Sequence, residues 1–137
     1  GTDTTQSATG QNIDSIVIND NCAVACTAGP AIGAPAETHN VLVAADKTTY
    51  SWSPVASATR YDVVRGSTAA FPVGPGSSDE VCFDNLAGTT MVDPAAPAPG
   101  AGFWYLSRGE NTCGNGTYGT QAVHGVPGAA RVTTTCP

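Results

Sequence analysis

The sequence predicts an all-β fold: a seven-stranded antiparallel sandwich preceded by an extended N-terminal arm. Three observations predict it. Sixteen Gly and ten Pro among 137 residues interrupt any long helix. From residue 39 onward, short β-prone runs recur about every ten residues between Gly, Pro, Asn and Asp, the rhythm of a small sandwich. No stretch of useful length carries the helical period. With 41% hydrophobic and 12% charged residues, the chain can bury one core of ordinary size. Much of that share is Ala, so the core falls to Val, Ile, Leu and the two Trp, four Tyr and three Phe.

Residues 1–38 read as an arm and linker. GTDTTQSATGQN is polar and of low complexity, and TAGPAIGAPAE is an Ala/Gly/Pro run that propagates neither helix nor ladder. Between them Ile13, Ile16, Val17 and Ile18 form a β-prone segment, IDSIVI over 13–18, closed by Asn19-Asp20-Asn21. In the body of the chain, over 39–125, strands are expected near 40–45, 48–53, 59–65, 80–83, 88–92, 102–109 and 117–124, and residues 126–137 form a tail. Period-two alternation sends Tyr50, Trp52, Tyr61, Val63, Phe103 and Tyr105 to the core side, and Asp62, Trp104 and Arg108 to the other.

Five Lys and Arg against eleven Asp and Glu leave a formal charge of −6, which repels phosphate backbones and anionic surfaces. Nucleic-acid binding is therefore not expected. No apolar run approaches the 18 or so residues that span a bilayer, and residue 1 opens a polar stretch without a signal-peptide pattern, so a soluble, processed chain without membrane insertion is expected. Cys22, Cys26, Cys82, Cys113 and Cys136 in a chain with a single Lys and many Thr and Gly point to disulfides and a secreted or cell-surface setting. An odd count leaves one thiol over or paired with another chain.

Zinc is the rival reading of the cysteines. Cys22 and Cys26 have no second closely spaced ligand pair, and His39 and His124 are far apart in sequence, so no metal is expected. A c-type haem would need Cys-x-x-Cys-His, which is absent. No cofactor is expected. Neither His stands with a nucleophile elbow, so no catalytic residue is assigned and the chain reads as a non-enzyme. Asp79, Glu80, Asp84 and Asp93 crowd one region, but they fit turns better than a paired-carboxylate or calcium site, since no Asp-x-Asp-x-Asp-Gly pattern supports one. GNGTYG lacks the Lys and the helix of a phosphate loop and reads as a β-turn. Asn115-Gly116-Thr117 is a glycosylation sequon on that turn. Trp104, sent outward by the alternation, is either an interface anchor or a ring covered by the arm or the tail.

TTYSWSPVASATRYDVVRG followed by GFWYLSRGENTCGNGTYG resembles the fibronectin type III domain in its bacterial, extracellular, Cys-containing form, over about residues 39–125. The resemblance makes Trp52, ahead of Ser53-Pro54, the centre of the core; Tyr61 the inward aromatic of the third strand; and Tyr105 the sixth-strand Tyr. Glu110-Asn111 with Gly114 matches the turn before the last strand. It implies a Cys82–Cys113 bridge. Ser107 and Gly109 stand where the family places larger residues, which implies a less well packed sixth strand. The expected role is a non-catalytic extracellular structural or interaction module that binds proteins or copies of itself. In its sharpest form, Ile13, Ile16 and Ile18 of the arm add a strand to a neighbour's sheet edge and build a fibre. The alternative is a carbohydrate-binding or spacer domain of a secreted polysaccharide-degrading enzyme, which would need exposed aromatics such as Trp104, Tyr118 and Phe71.

Overall fold

The computed structural model describes residues 33–70, 79–123, 126–133 and 135–136. The chain divides into two compact units, Gly1–Gly33 and Ala34–Pro137. Every strand below belongs to the second, and Ile13, Ile16, Ile18, Cys22 and Cys26 lie outside the described residues.

The fold is all-β and its sheets are antiparallel. Nine strands are described: β1 (Leu42–Val43), β2 (Thr49–Ser51), β3 (Arg60–Ser67), β4 (Val81–Leu86), β5 (Thr90–Val92), β6 (Phe103–Asn111), β7 (Gly114–Asn115), β8 (Thr120–Val123) and β9 (Val126–Ala130). They form one sheet ordered β1-β2-β5, a second ordered β4-β3-β6-β7, and a separate β8-β9 pair. Two short runs became strands because their ends are capped locally. The β1–β2 turn is closed by Asp46, whose Oδ1 accepts the Thr48 and Thr49 amides and whose Oδ2 accepts the Thr49 hydroxyl. These bonds, the Thr49 hydroxyl first, hold the Asp46 carboxyl down at about 2.

The first two sheets meet in a sandwich-like core. Trp52, Tyr61, Val63 and Met91 are buried, with Tyr50, Phe83, Leu86 and Tyr105 packed around them. Trp52 meets Tyr61 edge-on with ring centroids 5.6 Å apart, and the Tyr61 hydroxyl accepts the Val55 amide at 3.0 Å. The alternation placed these residues on one face. The other face, expected to meet solvent, is covered as well: Val64, Trp104, Tyr118 and Cys136 form a second buried cluster with Cys82 and Leu106 at its margin. Tyr61, Asp62, Val63 and Val64 are consequently all buried, the signature of a strand packed on both sides.

Two glycines make this second layer fit. Gly66 faces Trp104 across the β3–β6 ladder, and a Cβ on Gly66 would stand 2.1 Å from the indole. The indole lies over the bare backbone and donates from Nε1 to the Ser67 carbonyl at 3.0 Å. Gly66→Ala is expected to lose about 1–3 kcal/mol through overpacking, read as a lower urea midpoint with altered Trp emission. Gly109, expected to thin the sixth strand, instead admits neighbours: a Cβ there would lie 2.9 Å from Ala58 Cβ and 3.1 Å from Pro35 Cβ. Ser107 is buried too, and its hydroxyl meets the Thr38 hydroxyl at 2.7 Å.

Within the expected seventh strand over 117–124 the structure places β8, Thr120–Val123, which pairs with β9 and not with β6; the short β7 ahead of it, Gly114–Asn115, is the strand that pairs with Glu110 and Asn111 of β6. Gly119, at φ 79, then turns the chain into the β8–β9 hairpin.

Candidate functional site

β1 is the outer strand of its sheet, and its two apolar residues and the Val before them face solvent: Val41 is 40% exposed, Leu42 63% and Val43 56%. Both residues of β1 are exposed, so this edge lacks the alternation that a covered strand would show. Beside it runs an open groove lined by Val41, Leu42, Val43, Tyr50, Phe103 and Tyr105. It continues past Asp46 and Lys47 toward Pro94 and Pro97.

The aromatic wall of the groove is held from beneath. The Tyr50 and Tyr105 rings lie 4.1 Å apart, and Phe103 meets Tyr105 edge-on at 6.4 Å. The Tyr105 hydroxyl donates to Asp93 Oδ2 at 3.0 Å, and the same oxygen receives Arg65 at 2.7 Å. The Arg65 guanidinium sits 4.6 Å over the Phe103 ring. Burial opposes ionisation of Asp93, but the Ala95 amide, the Arg65 guanidinium and the Tyr105 hydroxyl outweigh it and hold its carboxyl below the usual range. Burial, with Tyr50 and Asp93 close by, pushes the Tyr105 hydroxyl far above its ordinary value, so it remains a donor. This arrangement fixes ring positions. It offers no nucleophile.

A second polar group lies on the other side of the same sheet. Asp62 is fully buried and takes Arg108 Nε at 3.0 Å and Nη2 at 2.9 Å on one oxygen, with the Asn85 amide at 3.1 Å on the other. Arg108 stacks 4.8 Å over Tyr118. Asp84 and Glu110 bring one carboxylate oxygen each to within 4.8 Å of Asp62 and of each other. Burial raises Asp62 above the carboxylate range, with the Asn85 amide and Arg108 pulling it partly back. Burial raises Glu110 too, followed by its neighbours Asp62 and Asp84.

Among the four carboxylates grouped by sequence, only Asp84 joins this corner. Asp79 caps the Ser67 amide at 2.6 Å, Glu80 accepts the Thr133 and Thr135 hydroxyls, and Asp93 belongs to the groove. Asp62–Arg108 is a directly opposed cross-strand pair in the β3–β6 register. Alternation had already put both on one face; the missing information was the register.

The cysteines require a correction. Cys82 is bridged to Cys136, with Cα atoms 5.2 Å apart, and not to Cys113. Cys82 lies on β4 and Cys113 in the β6–β7 turn, with β3 between β4 and β6. The two strand spacings from β4 to β6 come to about 10 Å, beyond the reach of a disulfide of about 7 Å between Cα atoms. Cys113 is itself disulfide-bonded, outside this pair. Trp104 is 9% exposed beneath Tyr118 and Cys136 and presents no anchor at the surface. Tyr118 is buried at 5%, and Phe71 lies outside the described residues, so two of the three aromatics wanted for a sugar platform are interior. Asn115 is exposed on β7, and His39 is exposed while His124 is outside the described residues. No known protein family, curated protein or solved structure matches the chain.

Proposed function

We propose that this chain is a non-catalytic extracellular structural module, a fibronectin type III-like sandwich whose copies join head to tail through the N-terminal arm. The observation that carries the reading is the exposed Val41-Leu42-Val43 edge beside an aromatic-walled groove. Three consecutive exposed apolar residues, two of them forming an outer strand, are a surface that a monomer usually blunts with charge or cover. The chain also possesses, in Ile13–Ile18, a β-prone apolar segment of the kind that completes such an edge. A disulfide closing a 54-residue separation accords with an oxidising setting outside the cell.

A head-to-tail contact between two different surfaces need not close on itself, and where it stays open it grows into filaments. Light scattering across a concentration series and electron microscopy of the oxidised full chain are expected to show oligomers lengthening with concentration. A monomer at every concentration would overturn the proposal.

A further inference from the structure

We infer that the groove between β1 and the first residues of β6 is the acceptor for residues 13–18 of a second copy, which supply a missing strand beside Phe103–Tyr105. The inference rests on the assembly reading above and names its site.

The outer edge of β6 can be followed residue by residue. Glu110 and Asn111 are paired with β7. Gly109 receives the Gly116 amide on its carbonyl at 2.8 Å, and Ser107 receives the Thr38 hydroxyl at 2.5 Å. Glu37 bridges Arg108. Along an antiparallel strand, residues two apart turn their backbone groups to the same side, so Phe103 and Tyr105 face the edge that Ser107 and Gly109 face. Among the described residues no strand lies beside them there. The chain that would have continued alongside β6 leaves after Asn115 for the β8–β9 hairpin. Among the described residues this stretch of backbone is therefore without a partner strand, at the mouth of the groove and with the exposed β1 residues across from it.

The occupant is argued from length, pattern and charge. Pro35 packs at Gly109, about 20 Å along β6 from Phe103 at the rise of a strand. Residues 19–32, fully extended, span at most about 45–50 Å, more than the roughly 30 Å width of a small domain, so Ile13–Ile18 can reach a neighbouring copy. In an extended segment Ile16 and Ile18 share one face, matching the apolar lining of the groove. Residues 1–32 carry Asp3, Asp14 and Asp20 and no Lys or Arg, while the chain's single Lys, Lys47, is exposed at the rim. Asp46 beside it is turned into its own loop by Thr48 and Thr49.

Two full-length oxidised variants test this: a donor-dead chain, Ile16→Asp with Ile18→Asp, and an acceptor-dead chain, Leu42→Asp with Val43→Asp. Leu42 and Val43 are more than half exposed, so the second variant keeps the native circular dichroism. Each variant alone is expected to run as a monomer. Their equimolar mixture is expected to give a species of twice the monomer mass and nothing longer, because only one functional arm and one functional groove can meet. An acceptor-dead chain that still forms oligomers like the parent, while the donor-dead chain does not, would remove this site and leave the arm-mediated assembly standing. A donor-dead chain that assembles like the parent would remove the arm from both proposals. A mixture that stays monomeric would overturn the complementarity of arm and groove.

Discussion

Arg108→Met is expected to lose about 3–5 kcal/mol of stability at neutral pH, the cost of leaving a buried carboxylate without its cation. Asp62 has no exposed surface, and both of its Arg108 bonds fall on the same oxygen. Met keeps the aliphatic stem but gives up the guanidinium stacked 4.8 Å over Tyr118, so the charge is read from the pH dependence and from the double variant below. The pH dependence gives an internal check. A carboxyl raised above its ordinary 3.8 in the folded state binds its proton more readily there than when unfolded. Its penalty is therefore full above the folded value and fades as pH falls toward 3.8. Removing Arg108 raises Asp62 further, so the gap between parent and variant should narrow on acidification. Adding Asp62→Leu to Arg108→Met should recover most of the loss at pH 7. Urea titrations at pH 7 and in mild acid decide it: a loss below about 1 kcal/mol at pH 7, or a gap that widens in acid, would contradict the buried pair.

Replacing both Cys82 and Cys136 by Ser is expected to cost about 4 kcal/mol on the chain-entropy account of a loop this long. The sequence separation is 54. The effect has a location as well as a size. Cys136 is 2% exposed and belongs to the cluster that covers Trp104. Glu80 helps seat the same segment through Thr133 and Thr135. Loosening it should expose Trp104 before Trp52, since Trp52 belongs to the other cluster. A red shift in emission that Trp104→Phe abolishes, together with a lowered thermal midpoint, is the expected result. Non-reducing peptide mapping that joins Cys82 to Cys113 would contradict the arrangement outright.

Much of this architecture is legible in the chain without coordinates. The strand positions of β2, β3, β5 and β6 follow from β-branched and aromatic runs between turn formers, because those preferences act over a few residues. The core face, with Tyr50, Trp52, Tyr61, Val63 and Tyr105, follows from a period of two that every strand obeys. The arm's β-prone segment and the acidic charge are likewise local or summed properties of the sequence.

Tertiary structure alone decided the rest, and in each case the deciding quantity is a distance between residues far apart in the chain. Alternation separates two faces but does not say whether the second meets water. Tyr118 and the tail residue Cys136 cover it, which decides between the two readings of Trp104 in favour of a covered ring and makes Asp62 and Arg108 a buried pair. Disulfide partners depend on strand order: with β3 lying between β4 and β6, Cys82 cannot reach Cys113 and finds Cys136 instead. Gly109 and Ser107 leave room that Pro35, Ala58 and Thr38 fill, a compensation between segments about 50 to 75 residues apart that no local pattern carries. The departure of the chain after Asn115 opens the edge of β6. Composition shows how many residues favour strands; only the assembled sheets show which backbone groups are left without one.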